Sequence, residues 1–156
     1  MGAALAVAMV AIAAIDARSF TIPDKLVLAG LLLGLVNVYV THEDQLATGF
    51  ADAALRASVL ALLFFGGRTA YRLIRKRQGI GLGDVKLAAV AGVWLDWMSI
   101  SVAVDLAAFS ALGTVLAYLI RGRRVTGSSA IPFGLFFAPA IWLGWLFETI
   151  TARLIG

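Results

Sequence analysis

The chain has 156 residues, of which 62% are hydrophobic and 14% are charged, and its net charge is +4. Soluble domains have roughly 45–50% apolar and about 25% charged residues, so this composition excludes a soluble protein and indicates a membrane protein. Because a spanning helix takes roughly 20 residues, the length allows about six crossings. We therefore predict an all-α polytopic bundle of about six transmembrane helices that forms a single domain over residues 1–156.

The residue counts also restrict the possible chemistry. Cysteine is absent and His42 is the sole histidine. These counts exclude disulfides, thiol nucleophiles and metal sites built from cysteine or several histidines, so we expect neither a metal nor a cofactor. In so apolar a chain, positive charge is typical of cytoplasmic loops, and we expect no nucleic-acid partner. Carboxylates remain as the groups for catalysis.

The first predicted helix covers residues 1–15, which are almost wholly aliphatic. At 1.5 Å per residue this stretch measures only about 22 Å, which is less than the roughly 30 Å hydrocarbon core. Either the helix continues through Asp16 to Ser19, or the first crossing is short.

A turn and two further crossings follow. Pro23 has a fixed backbone angle and disfavours helix at the residue before it, so the chain turns there and begins a new helix. We predict the second crossing at residues 26–40 and the third at 50–67, with a short acidic loop at 41–45 between them. A densely basic run at 68–78 is predicted to be a loop.

A glycine-spaced turn leads into the fourth predicted crossing, at residues 85–95. Gly79, Gly81 and Gly83 occupy alternate positions, and Asp84 follows directly. Because glycine permits close backbone approach, this turn is predicted to be a tight connector pressed against another part of the chain. A carboxylate at the start of an apolar segment is costly unless it has a partner or a task. Asp84 is therefore a candidate functional residue.

The fifth crossing is predicted at residues 100–120, with a second basic cluster at 121–124 after it, and residues 131–134 lead into the last helix, which is predicted to end at about residue 150. Asp105 lies inside the fifth crossing, where the sequence offers no ion-pair partner at its depth. It is either hydrated near the outer surface or makes a polar contact inside the bundle.

Lysine and arginine are concentrated in alternate loops. Loops one, three and five carry these residues, whereas loops two and four carry acids. By the positive-inside rule, the basic loops lie in the cytoplasm and both termini lie outside, as in a multi-pass protein of the inner membrane. Asp16, Asp24 and Asp84 therefore all emerge at the cytoplasmic face.

Three blocks of the sequence resemble a known family, the type IV prepilin peptidases, which are membrane aspartyl proteases with a Gly-x-Gly-Asp signature. The first block, residues 15–26, contains Asp16 followed by Ile-Pro-Asp; the second, 81–87, reads Gly-Leu-Gly-Asp-Val-Lys-Leu; the third, 131–136, reads Ile-Pro-Phe-Gly-Leu-Phe. The blocks stand in the family's order, and the resemblance covers nearly all of the chain. It implies an architecture of about six helices.

The resemblance places the family's catalytic pair on Asp16 and Asp84. It implies an endopeptidase that removes the basic leader from prepilin or pseudopilin substrates at the cytoplasmic face. The partners would be the substrate helix and the lipid bilayer. Two neighbouring carboxyl groups cannot both ionise readily, so such a pair shares one proton and titrates as a unit. One carboxylate then accepts a proton from water while the other donates to the carbonyl oxygen.

Supporting or substrate-approach roles are expected for six further residues: Gly81, Gly83, Asp24, Lys86, Pro132 and Gly134. The glycines before Asp84 are expected to let an extended substrate peptide approach the backbone. Asp24 either caps the second helix, where unpaired N–H groups stabilise a carboxylate, or hydrogen bonds to the catalytic pair. Lys86 either balances charge or extends to the membrane surface.

The sequence departs from the family's larger members in one respect. Those members carry an extra cytoplasmic segment with paired Cys-x-x-Cys, which is associated with N-methylation of the new pilin terminus. This chain has no cysteine and resembles a short form, which argues against a methyltransferase activity.

Three other interpretations remain. A small proton-coupled transporter or channel-like bundle would use Asp16, Asp84 and Asp105 as a proton path. A catalytically inactive homologue would act as an assembly partner, although the intact aspartates argue against it. The presenilin and signal-peptide-peptidase group shares Gly-x-Gly-Asp, but its Pro-Ala-Leu motif is absent here.

Overall fold

The computed structural model describes residues 1–76, 81–122 and 132–155. Six α-helices account for nearly all of this part: α1 (Gly2–Ser19), α2 (Asp24–Thr41), α3 (Leu46–Arg75), α4 (Leu82–Trp94), α5 (Trp97–Ile120) and α6 (Phe133–Ile155). A 3₁₀ turn at Glu43–Gln45 precedes α3. The predicted all-α fold of six helices is confirmed. Several residues of the predicted loops and motifs lie outside the described residues: Arg77, Gln78, Gly79, Ile80, Arg123, Arg124 and Ile131.

Five of the helices, all except α4, are long and apolar enough to cross a membrane. The chain is therefore a multi-pass membrane protein. The fourth predicted crossing is shorter than a full span, because α4 has 13 residues and measures only about 20 Å. Asp96 sets this limit: its side chain accepts a hydrogen bond from the Ser99 N–H and thereby starts α5 directly after α4 ends.

α1 takes the longer of its two predicted forms and continues through Asp16 to Ser19. Phe20 then ends the helix in a left-handed conformation, with φ of 53°, and its N–H donates to the Asp16 carbonyl oxygen at 2.9 Å. Asp16 therefore lies on regular helix, one turn before the helix ends.

α3 is much longer than predicted. Its 30 residues measure about 45 Å, which exceeds the roughly 30 Å hydrocarbon core. The basic residues Arg68, Arg72 and Arg75 lie on this helix, so their prediction as a loop was wrong. Arginine is a good helix former, and cations near a helix C-terminus are stabilised by the helix dipole.

The short helix α4 lies at the centre of the bundle, in contact with α2, α3, α5 and α6. Its side chains Leu87, Ala88, Val90 and Ala91 are fully buried. Gly92 packs directly on α3, where a Cβ atom at residue 92 would overlap the backbone nitrogen of Ala57. Small residues at such crossings allow helices in a membrane to approach closely.

Polar contacts fix the far end of α4 to three other helices. The indole N–H of Trp94 donates to the Gly30 carbonyl oxygen of α2 at 2.9 Å. Arg56 of α3 donates its Nε–H to the carbonyl oxygen of Gly92 at 3.2 Å, which satisfies one of the unpaired carbonyls at the end of α4. The Asp96 N–H donates to Glu148 of α6 at 2.7 Å.

α6 packs against α1 and α5, and completes the core around α4. Leu5, Met9 and Ile12 of α1 and Phe137 and Ile141 of α6 are fully buried. Close packing between these helices fixes the end of α1 beside the beginning of α6. The beginnings of α2 and α4 lie at this same end of the bundle, which is where the candidate site is found.

Candidate active site

A cavity of about 230 Å³ opens at the end of the bundle where α1 ends and α2 and α4 begin. Its lining combines three carboxylates, one ammonium group and the backbone of two glycines. The lining residues are Asp16, Phe20, Thr21, Ile22, Asp24, Gly81, Leu82, Gly83, Asp84 and Lys86. Two of the three sequence blocks thus meet in one cavity.

Asp16 is held at the cavity by the beginning of α6. Its side chain is only 5% exposed, and its Oδ2 accepts a hydrogen bond from the Leu135 N–H at 3.1 Å. The N–H of Gly134 makes a second, weaker interaction with the same carboxyl group. The first N–H groups of a helix have no partner within the helix, so a carboxylate is well placed to accept from them.

Residue 134 must be a glycine because it lies so close to Asp16. A Cβ atom at residue 134 would lie 2.8 Å from Asp16 Oδ2 and 2.9 Å from Ile22 Cδ1. Any side chain here would displace the carboxyl group from the N–H donors of α6. The third sequence block therefore supports the cavity from behind Asp16, although its described residues, 132–136, do not line the cavity.

Asp84 lies in the first turn of α4 and is 9% exposed. Its Oδ2 accepts a hydrogen bond from the Gly81 N–H at 3.0 Å, so the carboxyl group caps the start of its own helix. Burial raises the pKa of Asp84 to about 6; the Gly81 N–H opposes this change, and the nearby charge of Asp16 adds to it. The structure thus brings Asp16 and Asp84 close enough to interact electrostatically.

Ile22 is the contact that joins the three blocks. A Cβ atom at Gly83 would lie 2.8 Å from Ile22 Cβ, and the same side chain touches Gly134. The close approach expected at the glycine turn is therefore made by the chain's own Ile22. No sequence pattern predicted a role in the site for Ile22 or Leu135. Only their positions inside the first and third blocks marked them.

Asp24 and Lys86 form an ion pair across the mouth of the cavity. The distance from Lys86 Nζ to Asp24 Oδ1 is 2.6 Å, and the side chains are 46% and 76% exposed, respectively. Asp24 is the first residue of α2, so its carboxylate lies at the helix N-terminus, where unpaired N–H groups stabilise a negative charge, and the N-cap position itself is occupied by Pro23. Lys86 was predicted either to balance charge or to extend to the membrane surface, and this ion pair agrees with charge balance.

Two predicted residues lie away from the cavity. Pro132 immediately precedes α6 and does not line the cavity. Asp105 is on the exposed side of α5, so the prediction of a polar contact inside the bundle was wrong. The third carboxylate of the transporter interpretation, Asp105, therefore does not line the cavity that Asp16 and Asp84 share.

The site can carry out acid and base chemistry on a bound substrate. It combines two buried carboxyl groups from different helices with an opening to the outside. Buried carboxyl groups near one another ionise one at a time, so one member can act as a base while the other still holds a proton. This is the arrangement of groups that aspartyl proteases use to activate water.

Comparisons with known proteins place the chain in a family. Residues 3–120 match the model of the type IV leader peptidase family. The leader peptidase HopD of Escherichia coli is 33% identical over 131 residues, which cover 83% of this chain and 82% of that protein. Prepilin leader peptidase/N-methyltransferases of Pseudomonas putida and Aeromonas salmonicida are 33% and 32% identical, over 86% and 92% of this chain. The matches cover 45% and 48% of these two relatives, and no solved structure matches the chain.

Proposed function

Because the chain belongs to the type IV leader peptidase family, we propose that it is an aspartyl endopeptidase that removes the leader from prepilins or pseudopilins. Asp16 and Asp84 are the proposed catalytic pair, and cleavage takes place at the cytoplasmic face of the inner membrane. The observation that carries this proposal is the presence of both buried aspartates at one cavity, although they come from the end of α1 and the beginning of α4.

The proposed reaction needs one carboxylate and one carboxylic acid. A water molecule between the two groups gives a proton to the carboxylate as its oxygen attacks the scissile carbonyl. The carboxylic acid donates a proton to the carbonyl oxygen at the same time. The raised pKa of Asp84 supports this division of roles between a carboxylate and a carboxylic acid. A carboxyl group with a pKa of about 6 keeps its proton at pH values where an ordinary aspartate is already ionised.

The position of the cavity suits a substrate that is itself a membrane helix. The cavity lies at one end of the bundle, where five membrane-crossing helices would meet the lipid surface. A scissile bond between an aqueous leader and an apolar helix would lie at the same level. The concentration of Arg68, Arg72 and Arg75 at this end of α3 supports a cytoplasmic orientation, with both termini outside.

The proposal does not extend to N-methyl transfer. That activity appears in the names of relatives of which the chain spans about half the length. The proposed peptidase site, by contrast, rests on residues within the matched region.

The test is cleavage of a synthetic prepilin by the purified protein in detergent. We expect Asp16→Asn and Asp84→Asn each to lower the cleavage rate by about 100- to 10,000-fold, since each removes one partner of the proton transfer. The matched control is Asp105→Asn, which makes the same chemical change at an exposed position outside the cavity. Thermal unfolding of all variants separates loss of activity from loss of fold. Near-normal cleavage by either cavity variant would refute the proposal.

A further inference from the structure

We infer that Asp16 is the ionised member of the pair in the resting enzyme and that Asp84 is the protonated member. Asp16 is therefore the base that takes a proton from water, and Asp84 is the acid that donates to the substrate carbonyl oxygen. This inference rests on the proposed function and assigns the two chemical roles within it.

Backbone donors at Asp16 oppose the cost of burying a negative charge there. Its Oδ2 faces the beginning of α6, a helix of 23 residues whose N-terminus carries about half a positive charge. The Leu135 N–H donates to this oxygen at 3.1 Å and the Gly134 N–H interacts with the same group. A backbone N–H can only donate, so both contacts require an accepting oxygen. Such contacts are stronger when the acceptor is ionised.

The surroundings of Asp84 stabilise a negative charge less than those of Asp16 do. In the part of the chain that the structure describes, one backbone donor contacts its carboxyl group, the Gly81 N–H. Lys86 is paired with Asp24 and is therefore not available as a counter-ion. The neighbouring charge of Asp16 disfavours a second negative charge in the cavity. Asp84 is thus the group that holds the shared proton.

This assignment gives a balanced reaction. As the water oxygen bonds to the carbonyl carbon, one water proton moves to Asp16 and the Asp84 proton moves to the carbonyl oxygen. Asp16 then gives its proton to the amide nitrogen as the carbon–nitrogen bond breaks. Asp84 takes a proton from one hydroxyl group as the carbonyl re-forms. Both aspartates return to their starting states, and no further reactant is needed.

Infrared difference spectroscopy tests the assignment without any substrate. Spectra are recorded for the folded protein in detergent, about one pH unit below the pKa of Asp84. Subtracting the Asp84→Asn spectrum from that of the native protein is expected to show one carboxylic acid C=O band. Subtracting the Asp16→Asn spectrum is expected to show a carboxylate band. Asp105→Asn provides the matched reference for an exposed group.

The reverse pattern, or equal acid and carboxylate signals from both residues, would overturn the inference. These outcomes are independent of the proposed function. An enzyme that cleaves prepilin but shows the reverse pattern contradicts only the assignment of roles. A protein that shows the expected pattern but does not cleave contradicts only the proposed function.

Discussion

Gly134 and Asp16 are so close that a Cβ atom at residue 134 would lie 2.8 Å from the Asp16 Oδ2. The two residues are far apart in the sequence, yet the beginning of α6 provides the backbone donors for a carboxyl group at the end of α1. This contact explains why the third sequence block belongs to the site although residues 132–136 do not line the cavity. It also means that the alignment of Asp16 depends on the absence of a side chain at residue 134.

The first prediction concerns this contact. Gly134→Ala is expected to lower kcat for prepilin cleavage by about 10- to 100-fold, because the new methyl group moves the Asp16 carboxyl group away from the α6 donors. KM should change little. The matched control is Gly113→Ala in α5, where, among the described residues and apart from the neighbouring backbone of α5 itself, nothing lies within 4 Å of the new methyl group. If both alanine variants cleave equally well, the contact has no catalytic importance.

The second prediction concerns the Asp24–Lys86 ion pair. An exposed pair contributes little to stability, about 0.2–1 kcal/mol, so we expect small changes in thermal unfolding for Asp24→Asn and Lys86→Met. Cleavage should fall about two- to five-fold in each variant, because the pair connects α2 to α4 across the cavity mouth. The double variant should be no slower than either single variant. Additive losses would mean that the two residues act separately.

The third prediction concerns pH. Because burial raises the pKa of Asp84 to about 6, the singly protonated pair is lost as pH rises through that value. The cleavage rate should therefore fall with rising pH, approaching tenfold per pH unit above about 7. Rates measured across this range with saturating prepilin provide the test. A rate that increases steadily between pH 6 and about 8 would be inconsistent with Asp84 as the proton donor.

The fourth prediction concerns the far end of α4. Trp94→Phe removes the indole donor, so the Gly30 carbonyl oxygen keeps only its partner within α2. The expected loss is about 0.5–1.5 kcal/mol in the free energy of unfolding, the net contribution of one hydrogen bond. Trp97→Phe is the control, since Trp97 is about half exposed. Equal stability of the two variants in chemical unfolding would show that the buried hydrogen bond does not stabilise the fold.

The sequence was sufficient to predict the number of helices and the common location of Asp16 and Asp84. Helix number follows from apolar length, and the shared location follows from alternation of basic loops, so neither needs knowledge of packing. The limits of α4 were not predicted, because hydropathy alone does not distinguish a buried short helix from a spanning one. A run of arginines likewise does not show whether α3 continues beyond the membrane.

The detailed contacts of the site could not be predicted. The Leu135 N–H reaches Asp16, and Ile22 fills the space at Gly83, only because helices distant in sequence pack together. The same holds for the pairing of Lys86 with Asp24. Sequence blocks identified the regions that meet, but which atom of each block contacts the next is decided by tertiary packing.

The central claim is that Asp16 and Asp84 meet in one cavity, and the absence of cysteine allows a direct test. In the Asp16→Cys/Asp84→Cys double variant, the two introduced thiols are the only ones in the chain. A short thiol-specific cross-linker should join them rapidly within one molecule, as measured by mass spectrometry of the linked peptides. The control is Asp16→Cys/Asp105→Cys, whose second position lies outside the cavity. Rapid linkage only in the first variant is the predicted result, and equally slow linkage in both would contradict the account.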